Sequence, residues 1–309
     1  MDTHFISITD LNPLQIRSVL DLSEELKREL SADGANRELL KGRTMLMFFE
    51  KPSLRTRISF EIGMTQLGGH AIYLTPADVG LGSRERISDV ARVSSSMADI
   101  LMARVFKHEV VTELAAHSAA PVINGLSDLE HPCQILADLL TIREKKGDLS
   151  GLKLSFVGDG ENNVTHSLCL ASAMLGMRFA CASPHNLTMN KEIVKKARSL
   201  ACADAIMETH DPVEAVADAD IVYTDTWVSM GDEKERTTRE QLLRPYQVTK
   251  SLMKKAKPEA IFMHDMPAYR GLEVEVEVID GIQSVVFEQA ENRLHAQKGL
   301  VGYLLGCKR

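Results

Sequence analysis

Thr44-Met45-Leu46-Met47-Phe48-Phe49, followed by Glu50-Lys51-Pro52-Ser53-Leu54-Arg55-Thr56-Arg57, sets the architecture of the first half of the chain. The first six residues form a continuous, mostly apolar run of strand length, as expected of a strand covered on both faces. From Ser53 the pattern turns helical as far as Leu67, with Ser53 placed to cap it, and Gly68-Gly69 stops it. His70 to Leu74 is again a strand. Strand, helix and strand in such close succession read as a parallel unit with its helix packed on the sheet.

The alternation extends both ways. Asn12-Pro13 opens a helix that runs to about Leu30, Asn serving as cap and Pro filling the first turn. After Leu74 the pattern gives a helix over about Arg84–Met97, a strand at Ile100–Ala103, a helix at Val110–His117 and a short strand at Val122–Ile123. A long helix opened by His131-Pro132-Cys133-Gln134 follows. The polar stretch Lys145–Gly151 then breaks the chain, and a second series has strands at Leu152–Val157, Arg178–Ala182, Ile221–Thr224 and Ala260–His264. A last short strand, Ser284–Val286, leads into a closing helix. The expectation is an α/β protein of two domains, each a parallel β-sheet flanked by helices: residues 1–146 completed by the C-terminal helix 288–309, and residues 147–287.

Length and composition agree. A chain of 309 residues suits two domains, and 44% hydrophobic with 26% charged residues is ordinary for a globular protein and too apolar for a disordered one. No apolar run approaches the roughly 20 residues of a membrane span, and Met1-Asp2-Thr3-His4 does not begin a signal peptide, so the expected location is cytoplasmic. A net charge of -7 argues against bulk attraction to nucleic acid or anionic membrane, so an anion would need a local cluster of Arg or Lys. The cysteines (Cys133, Cys169, Cys181, Cys202, Cys307) are dispersed, without zinc spacing, and read as reduced thiols.

In parallel sheets ligands sit beyond the carboxyl ends of strands. After the first strand, Ser53, Arg55, Thr56 and Arg57 bring two hydroxyls and two guanidiniums to a helix start, where backbone N–H groups and the helix dipole favour an anion. A Ser cap followed by surface arginines reads the same way. Arg104 follows the third strand, as anion ligand or as buried ion-pair partner. His131 and Gln134 open the next helix, able to donate to a carbonyl oxygen or simply to cap. Gly158-Asp159-Gly160-Glu161-Asn162-Asn163 tempts a dinucleotide reading, but Asn163 replaces the third glycine and no acidic residue follows a second strand at the required distance. Asp225 and Ser229, after a later strand, suit an amino acid's charged ends, and Arg293 in the closing helix is a further anion contact. The combination suggests an anionic substrate on one domain and a zwitterionic one on the other, reacting in the cleft.

At this point the chain resembles the ornithine carbamoyltransferases, within the aspartate/ornithine carbamoyltransferase superfamily, over nearly its whole length. The superfamily's Ser-Thr-Arg-Thr-Arg segment is matched, with one departure, by Ser53–Arg57, and its His-Pro-x-Gln segment by His131–Gln134. Asp225 with Ser229-Met230-Gly231, and the paired asparagines Asn162-Asn163, are similar to the ornithine-using branch. The resemblance implies transfer of the carbamoyl group of carbamoyl phosphate to the side-chain amine of L-ornithine, giving L-citrulline and phosphate, as in arginine biosynthesis. By residue it implies a carbamoyl phosphate site of Ser53, Leu54, Arg55, Thr56, Arg104, His131, Gln134 and Arg293. Asn163, Asp225, Ser229, Met230, Asp265 and Met266 would hold ornithine, with His131, Arg104 and Asp265 catalytic. It implies a homotrimer, or a multiple of trimers, with sites near subunit interfaces, and neither metal nor organic cofactor.

Three departures stand out. Leu54 replaces the usual Thr, as in acetylornithine-using relatives. Gly80 stands where a Gln commonly reaches a neighbouring subunit. Most consequential, His264-Asp265-Met266-Pro267 replaces His-Cys-Leu-Pro, putting a carboxylate where the family has a thiol at the reactive amine. Ionised, Asp265 would stabilise the ammonium and oppose attack; alternatively it would accept the amine proton. This leaves open a carbamoyltransferase for another amine (putrescine or a modified ornithine) and a non-catalytic ligand-binding paralogue.

Overall fold

A computed structural model describes residues 4–202, 204–228 and 235–307. The chain divides into two compact units, Met1–Leu140 with Glu291–Arg309, and Thr141–Ala290.

The first unit begins with α1 (Pro13–Asp33). Asn12 Oδ1 accepts from Gln15 N, Gln15 Oε1 accepts from Asn12 N, and Gly34 at φ 72° ends the helix in the left-handed conformation that glycine adopts without strain. There follow β1 (Thr44–Phe49), α2 (Leu54–Gln66), β2 (His70–Leu74), α3 (Pro76–Val79), α4 (Ile87–Met97), β3 (Ile100–Arg104), α5 (His108–His117), β4 (Val122–Leu126) and α6 (Pro132–Lys146). The four strands are all parallel, in the order β2-β1-β3-β4. Residues buried on β1, β3 and β4 (Phe48, Leu101, Ala103, Val122) pack with Val111 and Leu114 of α5 and Val90 and Ala91 of α4.

The second unit contains β5 (Lys153–Val157), α7 (Asn163–Met174), β6 (Arg178–Ala182), α8 (Lys191–Leu200), β7 (Ile206–Thr209), α9 (Pro212–Val216), β8 (Ile221–Tyr223), α10 (Arg236–Leu243), α11 (Lys250–Met253), β9 (Ile261–Met263), α12 (Val276–Ile279) and α13 (Val286–Leu304), whose later part belongs to the first unit. Its five strands are parallel, in the order β7-β6-β5-β8-β9. The core joins Val157, Ala180, Val222 and Phe262 of the sheet to Ala215, Leu252, Val274 and Val278.

Two strand assignments change. β7 is an edge strand whose Glu208 is polar, and such a strand lacks the apolar run that marks the others. Ser284–Val286 is not a strand: Ser284 makes one isolated bridge to Phe262, and the helix begins at Val286. The divisions between units fall inside α6 and α13, a little before residue 146 and a little after residue 288. Among the described residues no helix is long and apolar enough to cross a membrane.

Candidate active site

Strand order says where each unit binds. In the first sheet the chain winds one way from β1 to β2 and the other way from β3 to β4, so the direction reverses between the neighbours β1 and β3. In the second it reverses between β5 and β8. Ligands bind beyond the carboxyl ends of strands at such reversals. Phe49 of β1 pairs with Arg104 of β3, and Phe156 of β5 pairs with Tyr223 of β8, so the segments at these positions are 50–57 with 104, and 158–163 with 224–228.

At the first reversal polar groups converge on one hydroxyl. Ser53, the cap of α2, accepts from Thr56 N at 3.4 Å, and its Oγ bonds Thr56 Oγ1 at 3.1 Å. Arg104 Nη1 and Arg293 Nη2 each donate to that same Thr56 Oγ1 at 3.3 Å. Arg293 Nη1 also donates to Gln134 Oε1 at 2.5 Å, while Gln134 Nε2 donates to Asp138 Oδ1 at 2.9 Å. With its amide oxygen turned to Arg293, Gln297 accepts from Nε at 3.1 Å and Nη2 at 3.0 Å. Thr56, Arg104, His131, Gln134 and Arg293 are all buried. Two guanidiniums sharing one oxygen in a buried site repel each other, an arrangement that a bound anion relieves.

His131 reports the same field. Burial, then the charges of Arg293, Arg104 and Lys51, push its pKa well below 6.5. It is therefore a neutral imidazole at pH 7, with one N–H to donate and one lone pair. Leu54 begins α2 with its side chain 69% exposed, so its backbone N–H is what it offers the site. Arg55 is half-buried, and its carbonyl accepts from Ser59 Oγ at 2.6 Å. Sequence reasoning did not single out Lys51, two residues past β1, or Gln297, which lies in the closing helix away from any strand end.

At the second reversal the charge is opposite. Asp225 is buried, with Oδ1 accepting from Thr226 N and Oδ2 from Asn162 Nδ2, each at 2.6 Å. Asn162 also caps α7 by accepting from Val164 N at 2.7 Å, while Asn163 is the first residue of that helix. The bond to Asp225 thus belongs to Asn162, which as the cap points out of the helix end towards the neighbouring strand; paired asparagines in sequence do not say which one caps. Gly160 serves packing: a Cβ there would lie 2.5 Å from Leu187 O, and Asp159 forms a buried ion pair with Arg239. Neither feature leaves that loop arranged as a cradle for a pyrophosphate. Ser229 and Met230 lie outside the described residues.

Asp265 Oδ1 lies 3.5 Å from His264 Nδ1, and His264 Nε2 lies 3.3 Å from Glu273 Oε1, the two histidine and glutamate side chains being fully buried. Met266 N lies 3.0 Å from His264 Nδ1, a contact that is a hydrogen bond only while Nδ1 keeps its lone pair, and Nε2 faces Glu273. Burial opposes charging the ring, yet Asp265, Glu273 and Asp225 raise its pKa to about 9, which favours the protonated ring at pH 7, its Nδ1 hydrogen facing Asp265 in place of the Met266 contact. Burial, and the charge and hydrogen bond of Asp265, push Asp225 well above its ordinary value. The two aspartates and His264 thus hold protons jointly. Asp225, His264 and Asp265 place ligand atoms within 4.8 Å of one another, a spacing compatible with a metal ion. Both imidazole nitrogens are already engaged, however, and what remains is two carboxylates, a better match for an ammonium. Glu273 went unnoticed in the sequence because nothing local links it to His264.

Comparison with known proteins gives the family. Residues 3–144 match the carbamoyl-P binding domain of aspartate/ornithine carbamoyltransferase, and residues 150–304 match its Asp/Orn binding domain. Ornithine carbamoyltransferase of Anoxybacillus flavithermus is 50% identical over 97% of this chain and 96% of its own length, and that of Oceanobacillus iheyensis is 52% identical over 97% and 94%. The solved ornithine carbamoyltransferase of Pyrococcus furiosus superposes with a TM-score of 0.94 at 46% identity, covering 99% of this chain and 98% of that one. An N-acetyl-L-ornithine transcarbamylase is similar at 28% identity and a TM-score of 0.87, over 97% of this chain and 99% of its own. With both halves matched in order and full-length relatives at about half identity, the chain belongs to the aspartate/ornithine carbamoyltransferase family.

Proposed function

We propose that the protein is an ornithine carbamoyltransferase, converting carbamoyl phosphate and L-ornithine to L-citrulline and phosphate. The observation that carries this is the convergence of Arg104 and Arg293 on Thr56 Oγ1 beside neutral His131 and Gln134. Ser53, the backbone of Leu54, Arg55, Thr56, Arg104 and Arg293 bind the phosphate. His131 and Gln134 hold the carbamoyl group, His131 and Arg104 donating to its oxygen as negative charge develops there.

The ornithine amine attacks the carbonyl carbon as a free base, its lone pair forming the new C–N bond. Collapse of the tetrahedral intermediate re-forms the carbonyl and breaks the C–O bond to phosphate, which leaves with the electron pair and takes up the proton that the newly bonded nitrogen sheds. An alkylamine has a pKa near about 10.4, so a proton must be removed. Asp265, in the position of the family's cysteine, accepts it, with Asp225 and His264 holding protons in the same cluster. Asn163, Asp225, Ser229, Met230 and Met266 complete the ornithine site.

A homotrimer is supported by the surface of α2, where Leu54, Ile58 and Ile62 recur every fourth residue with exposures of 69%, 42% and 43%. Val93 and Met97 of α4 are also exposed, at 55% and 78%. Apolar helix faces of this kind are normally covered by another subunit. A cytoplasmic role in arginine biosynthesis fits the reaction.

The test is direct: purified protein with carbamoyl phosphate and L-ornithine should form citrulline and phosphate in equal amounts. Putrescine or N-acetyl-L-ornithine as the better acceptor would refute the assigned substrate, and phosphate binding without turnover on any amine would refute the assigned reaction.

A further inference from the structure

Lys298 lies on α13 and is 1% exposed. A buried ammonium ordinarily has a carboxylate partner. Here Nζ donates to two neutral amides, Asn36 Oδ1 at 2.7 Å and Gln66 Oε1 at 2.9 Å. Asn36 follows α1 and is itself fixed by donating to Leu26 O at 2.8 Å, and Gln66 is the last residue of α2. The lysine stem rests against Gly63, where a Cβ would meet Lys298 Cγ at 3.3 Å.

These contacts continue a line that starts at the anion site. On α2, Thr56, Ser59, Gly63 and Gln66 are spaced by three and four residues and share one face. On α13, Arg293 meets Thr56, Gln297 donates its amide hydrogen to Ser59, and Lys298 covers Gly63 and reaches Gln66. The interface between the two helices therefore has an anion cradle at one end and an amide-held ammonium at the other.

We propose that Lys298 is a positioning residue for the anion site: its ammonium, gripped by Asn36 and Gln66, fixes the register of α13 on α2 and with it the reach of Arg293 towards Thr56. The inference rests on reading Thr56, Arg104 and Arg293 as a phosphate site. It gives the site a dependence on the protonation of a group that never touches substrate. Around Lys298, α1 presents Glu29, whose carboxylate Arg37 holds at 3.4 Å, and Lys27, whose Nζ donates to Asn292 at 2.8 Å. α13 presents Arg293 and His295, whose pKa Lys298 and Lys27 help to depress. α2 turns its neutral Ser59, Gly63 and Gln66 inward, and its Arg57–Glu61 pair is exposed. Burial outweighs the opposing charge of Glu29 and brings Lys298 down to about 8. Above that pH the amine still has donors for both amides but loses charge assistance, which roughly halves the strength of each bond.

Calorimetric titration of the full-length protein with inorganic phosphate from pH 7 to pH 10 tests this. Wild type should lose affinity by up to about fivefold on passing pH 8. Gln66→Glu places a carboxylate beside the ammonium, so the protein should keep its affinity to a pH at least about one unit higher. Lys298→Met should bind phosphate about tenfold more weakly at pH 7 and show no step. A merely structural lysine would cost Lys298→Met thermal stability while leaving the affinity of the folded molecules unchanged, and that result overturns the proposal. So do superimposable profiles for wild type and Gln66→Glu, the comparison that decides if Lys298→Met does not fold. Phosphate binding to none of the proteins at any pH would remove the anion-site reading, and the positioning role with it.

Discussion

Replacing Arg293 by methionine keeps the length of the side chain and removes its charge and donors. In the free protein it deletes the bond to Gln134 Oε1 at 2.5 Å and the bond to Thr56 Oγ1 at 3.3 Å. For a bound phosphate it deletes a charge-assisted hydrogen bond, worth about 1.5–3 kcal/mol, or about ten- to 150-fold in affinity. A second effect comes from the same charge. Burial, Arg293, Arg104 and Lys51 depress His131 in that order, so removing Arg293 takes away the largest of the three charges. The His131 pKa should rise in the variant yet stay below 6.5, because burial remains. Phosphate titration by calorimetry reads the first effect, and NMR titration of labelled imidazoles reads the second. The two are independent: one depends on contact, the other on field through the protein. Phosphate affinity within twofold of wild type, together with an unmoved His131 titration, would refute the claim that these groups form one electrostatic site.

Three further outcomes are expected. Asp265→Cys should move the acidic limb of the pH–rate profile upward, since a free thiol titrates near about 8.5 and a carboxyl far lower; coincident profiles would mean that Asp265 takes no part in removing the amine proton. Ile62→Glu should break the oligomer by placing a charge on the apolar face of α2, and sedimentation of an unchanged assembly, or a monomeric wild type, would contradict the trimer. His131 and His295 are both held below the ordinary imidazole value, His295 at about 3 through burial and then Lys298 and Lys27. Unfolded, they take up protons near about 6.5 that the folded protein refuses, so stability should decline as pH falls below about 6.5, by up to about 1.4 kcal/mol per pH unit for each. Urea unfolding of His295→Gln between pH 6.5 and 5 should show a shallower decline, and an equal slope would rule out its contribution.

The strands that carry the site were legible because parallel strands buried on both faces are short apolar runs. Thr44–Phe49 and Arg178–Ala182 emerge with the boundaries their composition suggests, and the part-exposed edge strand His70–Leu74 is set off by the Gly68-Gly69 stop before it. What a linear pattern does not contain is the order in which strands pair. That order puts β3 beside β1 and β8 beside β5, and so selects two loop pairs out of all those that end a strand. It explains why Ser53, Thr56 and Arg104, which are each ambiguous in the chain, meet within hydrogen-bonding distance. Arg293 comes from much further along the sequence and joins them because α13 runs back to the first unit and packs along α2. The residues missed follow the same logic. Glu273 and Gln297 act on His264 and Arg293 rather than on a strand end, so their significance exists only once their partners are placed. Lys298 is the extreme case. In the chain it is one more lysine on an amphipathic helix; folded, it is a charge held by two amides at the far end of the helix pair that aims Arg293. A variant screen confined to recognisable motifs would alter the cradle and leave untouched the contact that keeps it in register.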